Sequence, residues 1–455
     1  MAKTYDIQVT FYASNLGTPL TVTGKQDSSY NFIKSLSYEQ SRQNGIGSLT
    51  VDLTPTGLDS DWLDILETND LVEVQVDGYL EFQGLVNKVS HTSSVKGGNT
   101  FTVTCHDMGV VFDNYAKLVF SKTFQHFIYN KDATTTKFID QISTEFRDAS
   151  GFRISDLDSA GNSKMLSILW KIFFKLFKNL ISTTPQNATD YTFSDNKTIF
   201  DKFGENGEKY FSISDELLYD VPLYVNPFAN GDATFHSLVK EFCQEPYNEI
   251  ITSNFNKKFP IQSGEKIVYL EGYKSIIRPS VFHPDYFKTP ASTNVPLELI
   301  EEVLINKHNA EVFTIFASNA EMAHLGTGHT WSTGKYVIAS ELATQYGIKV
   351  LEIPIKSGYN PEVDQIDEQE FDESFKGGGE LLYDMFKNNN KLYSGTLKTP
   401  FLSIKPGMLI EFEHNFGAKI KNIKCLIDKV SVVWNVIGGT APTCTFQFIR
   451  GEVQS

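Results

Sequence analysis

Apolar and polar residues alternate over 5–13, and runs of the same period follow at Gly47–Leu53, Leu71–Val76, Tyr79–Val89 and Thr100–Cys105. A period of two marks a strand with one buried face, and Asn, Asp and Gly residues punctuate these runs as turns. The pattern predicts an all-β domain over residues 1–113.

Beyond about residue 115 the period changes. Thr134–Phe146 has helical spacing, with Phe138, Ile139, Ile142 and Phe146 on one side. Polar Thr/Asn/Asp-rich sequence follows, and 114–230 reads as an insertion domain. A connecting α/β domain over 231–297 opens at Asp232-Ala233-Thr234, where Asp or Thr can cap a helix carrying Phe235, Leu238, Val239 and Phe242. Strands are expected near Glu249–Ser253 and Lys266–Leu270. Residues 298–455 are strand-rich again, interrupted by an acidic insertion at 360–390. Within it Pro361–Gly379 reads as a surface loop or solvated helix face, and Glu380–Lys387 as a short helix. The expected fold class is mainly β with α+β insertions.

One segment of the insertion domain stands apart. In Met165–Ser182, Ser167, Lys171, Lys175, Lys178, Asn179 and Ser182 fall within about one third of a helix circumference. The other twelve residues are apolar, Trp170, Phe173, Phe174 and Phe177 among them. Leaving such a face in water would forfeit on the order of 20 kcal/mol. A membrane span is disfavoured, because mid-segment lysines cost about 2.5–3.5 kcal/mol each. Lying flat on a bilayer is physically sound, but burial against protein is the better expectation. That makes Trp170, Phe173, Phe174 and Phe177 candidate packing residues toward the chain's own domain, a neighbouring subunit or a partner.

The two ends of the chain share a repeat. Leu85-Val86-Asn87-Lys88-Val89-Ser90 matches Leu426-Ile427-Asp428-Lys429-Val430-Ser431, and seven residues beyond each serine stands a double glycine, Gly97-Gly98 and Gly438-Gly439. An alternating strand follows each, Thr100–Cys105 and Thr443–Phe448. Upstream, Leu71-Val72-Glu73-Val74 pairs with Leu409-Ile410-Glu411-Phe412. Copies at opposite ends imply two like units bracketing inserted material, not a solenoid.

In the first copy Gly84, an alternating strand, a glycine turn and a strand ending Thr104-Cys105-His106-Asp107 follow one another. Further along stand Glu245-Pro246-Tyr247-Asn248-Glu249, Arg278-Pro279-Ser280-Val281-Phe282 and the closing Phe446-Gln447-Phe448-Ile449-Arg450-Gly451. In that order these motifs resemble the tail hub (late control protein D) family of contractile phages, which includes the hub portion of type VI secretion spike proteins. The resemblance covers most of the chain in outline, although residues 150–230 match nothing in it. It implies two tube-like β-barrels and a homotrimer whose six barrels adapt a six-fold tail tube to a three-fold central spike around a channel for genome ejection. The implied partners are other copies of the chain, a tail tube or distal tail protein, a central spike or tail-tip protein, and a tape-measure protein. The implied location is the tail baseplate of a virion, after assembly in the host cytoplasm.

Charge and cysteine content agree with that picture. With 55 acidic against 40 basic residues the formal charge is -15. No Lys/Arg stripe offsets it, so specific nucleic-acid binding is not expected. An acidic surface suits a conduit through which DNA slides. Cys105, Cys243, Cys425 and Cys444 are scattered without metal-binding spacing and read as free thiols of a reducing compartment. The N-terminus runs into alternating residues with no apolar signal-peptide core.

Catalytic constellations are weak throughout. His324 and His329, with Glu321 nearby, are five apart with glycines between, whereas a helical zinc pair needs one turn. Gly328–Lys335 lacks the first glycine and the Ser/Thr of a phosphate loop. Cys105 and His106 are adjacent on a strand end and so point to opposite faces. Asp107 there suits turn chemistry with backbone amides. No catalytic residue, cofactor or metal is expected. The alternatives to a structural hub are a tail-associated cell-wall hydrolase and a tail-tip carbohydrate-binding adhesin.

Overall fold

The computed structural model describes residues 5–110, 211–213, 240–307, 312–322, 336–357 and 378–454, apart from 14, 17–18, 26–31, 44, 57–60, 95–97, 241–242, 244, 257, 264–265, 281, 283–291, 418 and 438–440. The sequence-predicted helices at 134–146 and 165–182, and the acidic stretch 361–377, lie outside these residues.

The N-terminal part carries β1 (Asp6–Tyr12), β2 (Leu20–Lys25), β3 (Ile33–Ser41), β4 (Ser48–Leu53), β5 (Leu71–Val76), β6 (Tyr79–Ser94) and β7 (Gly98–Asp107). The middle holds β8 (Phe211–Ile213), β9 (Asn248–Phe255), β10 (Ile261–Ser263), β11 (Lys266–Val268), β12 (Gly272–Pro279) and β13 (Ser292–Val295). The C-terminal part adds β14 (Glu302–Asn306), β15 (Ile315–Met322), β16 (Tyr336–Ile338), β17 (Val350–Ser357), β18 (Tyr393–Pro400), β19 (Leu409–Asn415), β20 (Ile420–Asn435) and β21 (Thr443–Gln454). The protein is mainly β, with short helices such as Ser340–Tyr346 and 378–386.

Alternation does what the sequence pattern requires. In β1, Ile7, Val9 and Phe11 are fully buried while Asp6, Gln8 and Thr10 are half-exposed. Among the described residues thirteen strands form one sheet, running β14-β18-β21-β20-β3-β4-β7-β6-β5-β1-β2 with β19 and β13 branching from β20. The first and last parts of the chain are therefore joined edge to edge by the antiparallel pairing of β3 with β20. One apolar core runs beneath both, from Ile7 and Phe11 through Ile251 and Ile276 of the middle strands to Phe446 and Phe448. A second cluster, Tyr247, Phe316, Leu382, Met385 and Phe386, holds the 378–386 helix against β15.

The repeat is visible in the register. Leu71 of β5 stands opposite Leu85 of β6, and Leu409 of β19 stands opposite Leu426 of β20. The next strand across then slips by one residue at the same place in both copies. Val86 faces Cys105 but Lys88 faces Thr104; Ile427 faces Phe448 but Lys429 faces Gln447. Asn87 and Asp428 are thus equivalent β-bulge residues, which bend and twist the strand that carries them.

The approach to the shorter strand is also shared. Asn69 and Gly407 both take left-handed backbone, at φ 71° and 82°. Each donates its N–H to the residue before the bulge, Asn69 to Val86 O and Gly407 to Ile427 O, both at 2.7 Å. Val86 and Ile427 return N–H bonds to Asp70 O and Met408 O. Asn tolerates this conformation. Position 407 needs glycine for a second reason, since a Cβ there would lie 2.3 Å from Ile251 Cδ1.

Candidate assembly junction

The bulge in β20 lets one strand serve two partners along the same edge. Before it, Ile420–Leu426 pair with β19; beyond it, Lys429–Asn435 pair with β3. The seam between β3 and β20 is dry on its inner face, where Val430, Val432 and Trp434 are buried beside Leu36 and Tyr38. On its outer face Lys429 pairs with Glu39 at 2.7 Å. Tyr5 packs edge-on against both Trp434 and Phe401, fixing the N-terminal strand to the C-terminal part.

A buried charge network closes the lower end of this seam. Arg42, just past β3, donates from Nε to Asp428 Oδ1 at 3.0 Å and from Nη1 to Glu249 Oε2 at 2.9 Å. Arg278 donates from Nε to the other Glu249 oxygen at 2.8 Å and from Nη2 to Gly407 O at 2.8 Å. Glu249 and Arg278 face each other across the β9–β12 pair. Burial works against the Arg42 charge, but Glu249 and Asp428 outweigh it and hold the guanidinium above its ordinary pKa. The network is therefore built around a charged Arg42. It ties the bulge of β20, the end of β3, the middle sheet and the glycine before β19 to one another.

Three of the motifs quoted from the sequence meet here. Tyr247 donates to Gly378 O, and Arg450 donates to Phe282 O, Met385 O and Asn389 Oδ1. The Arg450 guanidinium lies 5.0 Å from the centroid of the Phe282 ring and that of Arg42 lies 5.8 Å from it. Sequence reasoning placed Glu249, Arg278, Phe282 and Arg450 in line but missed Arg42, because a single arginine after a polar strand carries no periodic signal.

The residues weighed for chemistry are arranged otherwise. Trp170, Phe173, Phe174 and Phe177, with His324, His329 and Gly328–Lys335, lie outside the described residues. Cys105 is buried and His106 half-exposed on opposite faces of β7, and burial pushes the Cys105 thiol up. All four cysteines are free and buried. Asp107 accepts from Gly47 N at 2.6 Å and Gly109 N at 2.9 Å.

Burial lifts the Asp107 carboxyl to about 7, although those two amides pull the other way. A carboxyl raised in the folded state contributes fully below the ordinary carboxylate range, and that contribution is lost as pH rises toward 7. Asp107→Asn cannot ionise. The stability of the parent relative to this variant should fall by about 3 kcal/mol between pH 4 and 7, with a mid-range slope of about 1.4 kcal/mol per unit. Parallel urea-unfolding profiles over that range would show that Asp107 is not the responsible group.

No protein-family model and no curated protein matches the chain. Solved structures do. The tail protein from Neisseria meningitidis MC58 superposes with a TM-score of 0.50 at 9 % identity, covering 98 % of this chain and 96 % of that one. The 43 kDa tail protein of prophage MuSo2 from Shewanella oneidensis gives 0.49 at 11 % identity over 97 % and 98 %. Prophage tail protein gp18 from Listeria monocytogenes EGD-e gives 0.45 at 9 % identity over 97 % and 94 %. The fold is that of a solved tail protein. It is shared over nearly the whole chain with the Neisseria tail protein, in line with the resemblance carried by the sequence motifs.

Proposed function

We propose that this chain is a structural, non-enzymatic component of a phage-type tail: a hub whose three copies form a ring between the tail tube and a central spike, leaving a channel for the genome. The observation that carries the reading is the duplicated unit. β5–β6–β7 and β19–β20–β21 share one register, one bulge and one strand approach, and β3 sets them side by side in a single sheet. A chain built from two like units converts a three-fold set of chains into a six-fold set of units. Closed cyclic symmetry is the usual way such copies satisfy their contacts.

In this reading the chain's partners are its own copies, a tail tube or distal tail protein, a spike or tail-tip protein and a tape-measure protein, in a virion tail assembled in the host cytoplasm. The apolar face that carries Trp170, Phe173, Phe174 and Phe177 is buried against protein. Averaged maps of assembled tails test the ring. Three copies of this chain around the axis are expected, and six copies or one would overturn it.

A further inference from the structure

The two copies of the repeated unit are alike, but their outer strands have different company. In the second copy, the half of β20 beyond the bulge is covered by β3. In the first copy, the equivalent half of β6 begins at Lys88, and among the described residues Lys88–Ser93 pair only with β7. At the far end of the same sheet β14 pairs only with β18 among the described residues. β14 is the second unit's counterpart of β3, because each is the second strand out from the equivalent strands β21 and β7, through β18 and β4. One unit therefore lacks the strand that the other carries on its outer edge.

We propose that β14 of one copy pairs antiparallel with the β6 edge beyond Asn87 of a neighbouring copy, in the register that β3 and β20 use within the chain. This rests on the ring reading above and names the contact that closes the ring. The register follows from the repeat. Within the chain Leu36, Ser37 and Tyr38 stand opposite Trp434, Val433 and Val432. Following the pairings through β4–β7 and β18–β21 makes Val303, Leu304 and Ile305 the counterparts of Leu36, Ser37 and Tyr38. The bulge makes Ser93, Thr92 and His91 the counterparts of Trp434, Val433 and Val432. Val303 thus meets Ser93, Leu304 meets Thr92 and Ile305 meets His91.

Side-chain facing agrees. Val303 and Ile305 lean onto the core while Leu304 is 53 % exposed. Val433, at the matching outward position of the intrachain seam, is 57 % exposed. The chemistry of the two seams differs in a direction that suits their roles. Where β20 buries Val430, Val432 and Trp434, β6 carries Val89, His91 and Ser93, with Lys88 exposed at the bulge. A polar edge bearing a lysine discourages indiscriminate strand addition. The free chain stays soluble, and pairing is left to a neighbour held in place by the ring. Because the contact joins two different edges, it is head-to-tail and closes only as a ring or runs on as a filament.

Cysteines at opposed, exposed positions read the register. Directly opposite antiparallel residues have Cα atoms about 4.5–5.5 Å apart, inside disulfide range, whereas diagonal neighbours lie about 7–8 Å apart, mostly beyond it. Tails assembled from the L304C/T92C chain and gently oxidised should give reducible covalent dimers and trimers on a denaturing gel. L304C/S90C, two residues out of register, should give at least about ten-fold less. Within one chain, S37C/V433C should close intramolecularly under the same oxidation, showing that the chemistry works at this kind of seam. Cross-linking through Ser90 instead, or none from L304C/T92C in tails that hold three copies per ring, overturns the register and leaves the ring standing. A copy number other than three sinks the ring, and this contact with it. Should the variants fail to assemble, the position of β14 in a map of parent tails decides: beside β6 of the next copy, or elsewhere.

Discussion

Glu249→Ala should lower the stability of the folded chain by about 3–5 kcal/mol, the cost typical of removing one partner from a buried ion pair. Glu249 is 1 % exposed and gives one carboxylate oxygen to Arg42 and the other to Arg278, so its loss strands two guanidinium groups at once. Arg42 retains Asp428 and Arg278 retains the Gly407 carbonyl, which leaves each with a partner but short of full compensation. Glu249→Gln keeps the shape and removes the charge, and it should cost nearly as much. If shape alone mattered, the glutamine variant would match the parent. The readout is the urea midpoint followed by tryptophan fluorescence, since Trp434 lies in the seam above this network. A shift equivalent to less than about 1 kcal/mol in the alanine variant would show that water or neighbouring groups replace the carboxylate.

The strands with strict alternation were legible in the sequence, and so was the relation between the two ends. β1, β4, β5 and the paired copies at Leu85 and Leu426 follow the period-two rule closely enough to be found by eye. β3 does not. Lys34 sits at a register slip between Ile33 and Ser35, so Ile33 and Leu36 both face inward three residues apart, and Gln40 is buried beside them. A bulge hides a strand from a period-two search because the extra residue inverts the phase. The same effect cut β6 short at Val89 in the sequence reading, whereas it continues to Ser94. β3 is also the strand that joins the two units, so their continuity in one sheet could not be read from the repeat. The motifs at Glu249 and Arg278 showed as landmarks without a purpose. Their purpose depends on contacts more than 100 residues away in sequence, Arg42 to Glu249 and Arg278 to Gly407, which no local pattern encodes.

A second buried pair joins the two ends of the chain, and its replacement should behave unlike that of Glu249. Lys405 is fully buried, and its Nζ lies 2.5 Å from Glu81 Oε2 and 3.2 Å from the Glu81 carbonyl oxygen. It also lies 5.3 Å from the centroid of the Tyr38 ring, whose hydroxyl reaches the same carboxylate at 3.5 Å. Lys405→Met leaves the Glu81 carboxylate, among the described residues, with only that long hydroxyl contact and should cost about 3–5 kcal/mol. Glu81→Leu leaves the ammonium with a single carbonyl and should cost a similar amount. The double variant K405M/E81L removes both charges from a site where Glu81 Oε1 has no hydrogen-bond partner among the described residues. Desolvation of the pair is then no longer set against an incomplete set of bonds. The double variant should recover to within about 1 kcal/mol of the parent or exceed it, since well-packed apolar replacements of buried pairs are often neutral or stabilising. The coupling between the two substitutions, read from a double-mutant cycle in urea, should be several kcal/mol in the favourable direction. One core runs beneath both units, so both residues report on the same unfolding event. Costs that simply add in the double variant would mean that each residue is held by its own surroundings, and that the pair contributes nothing to joining the two ends of the sheet.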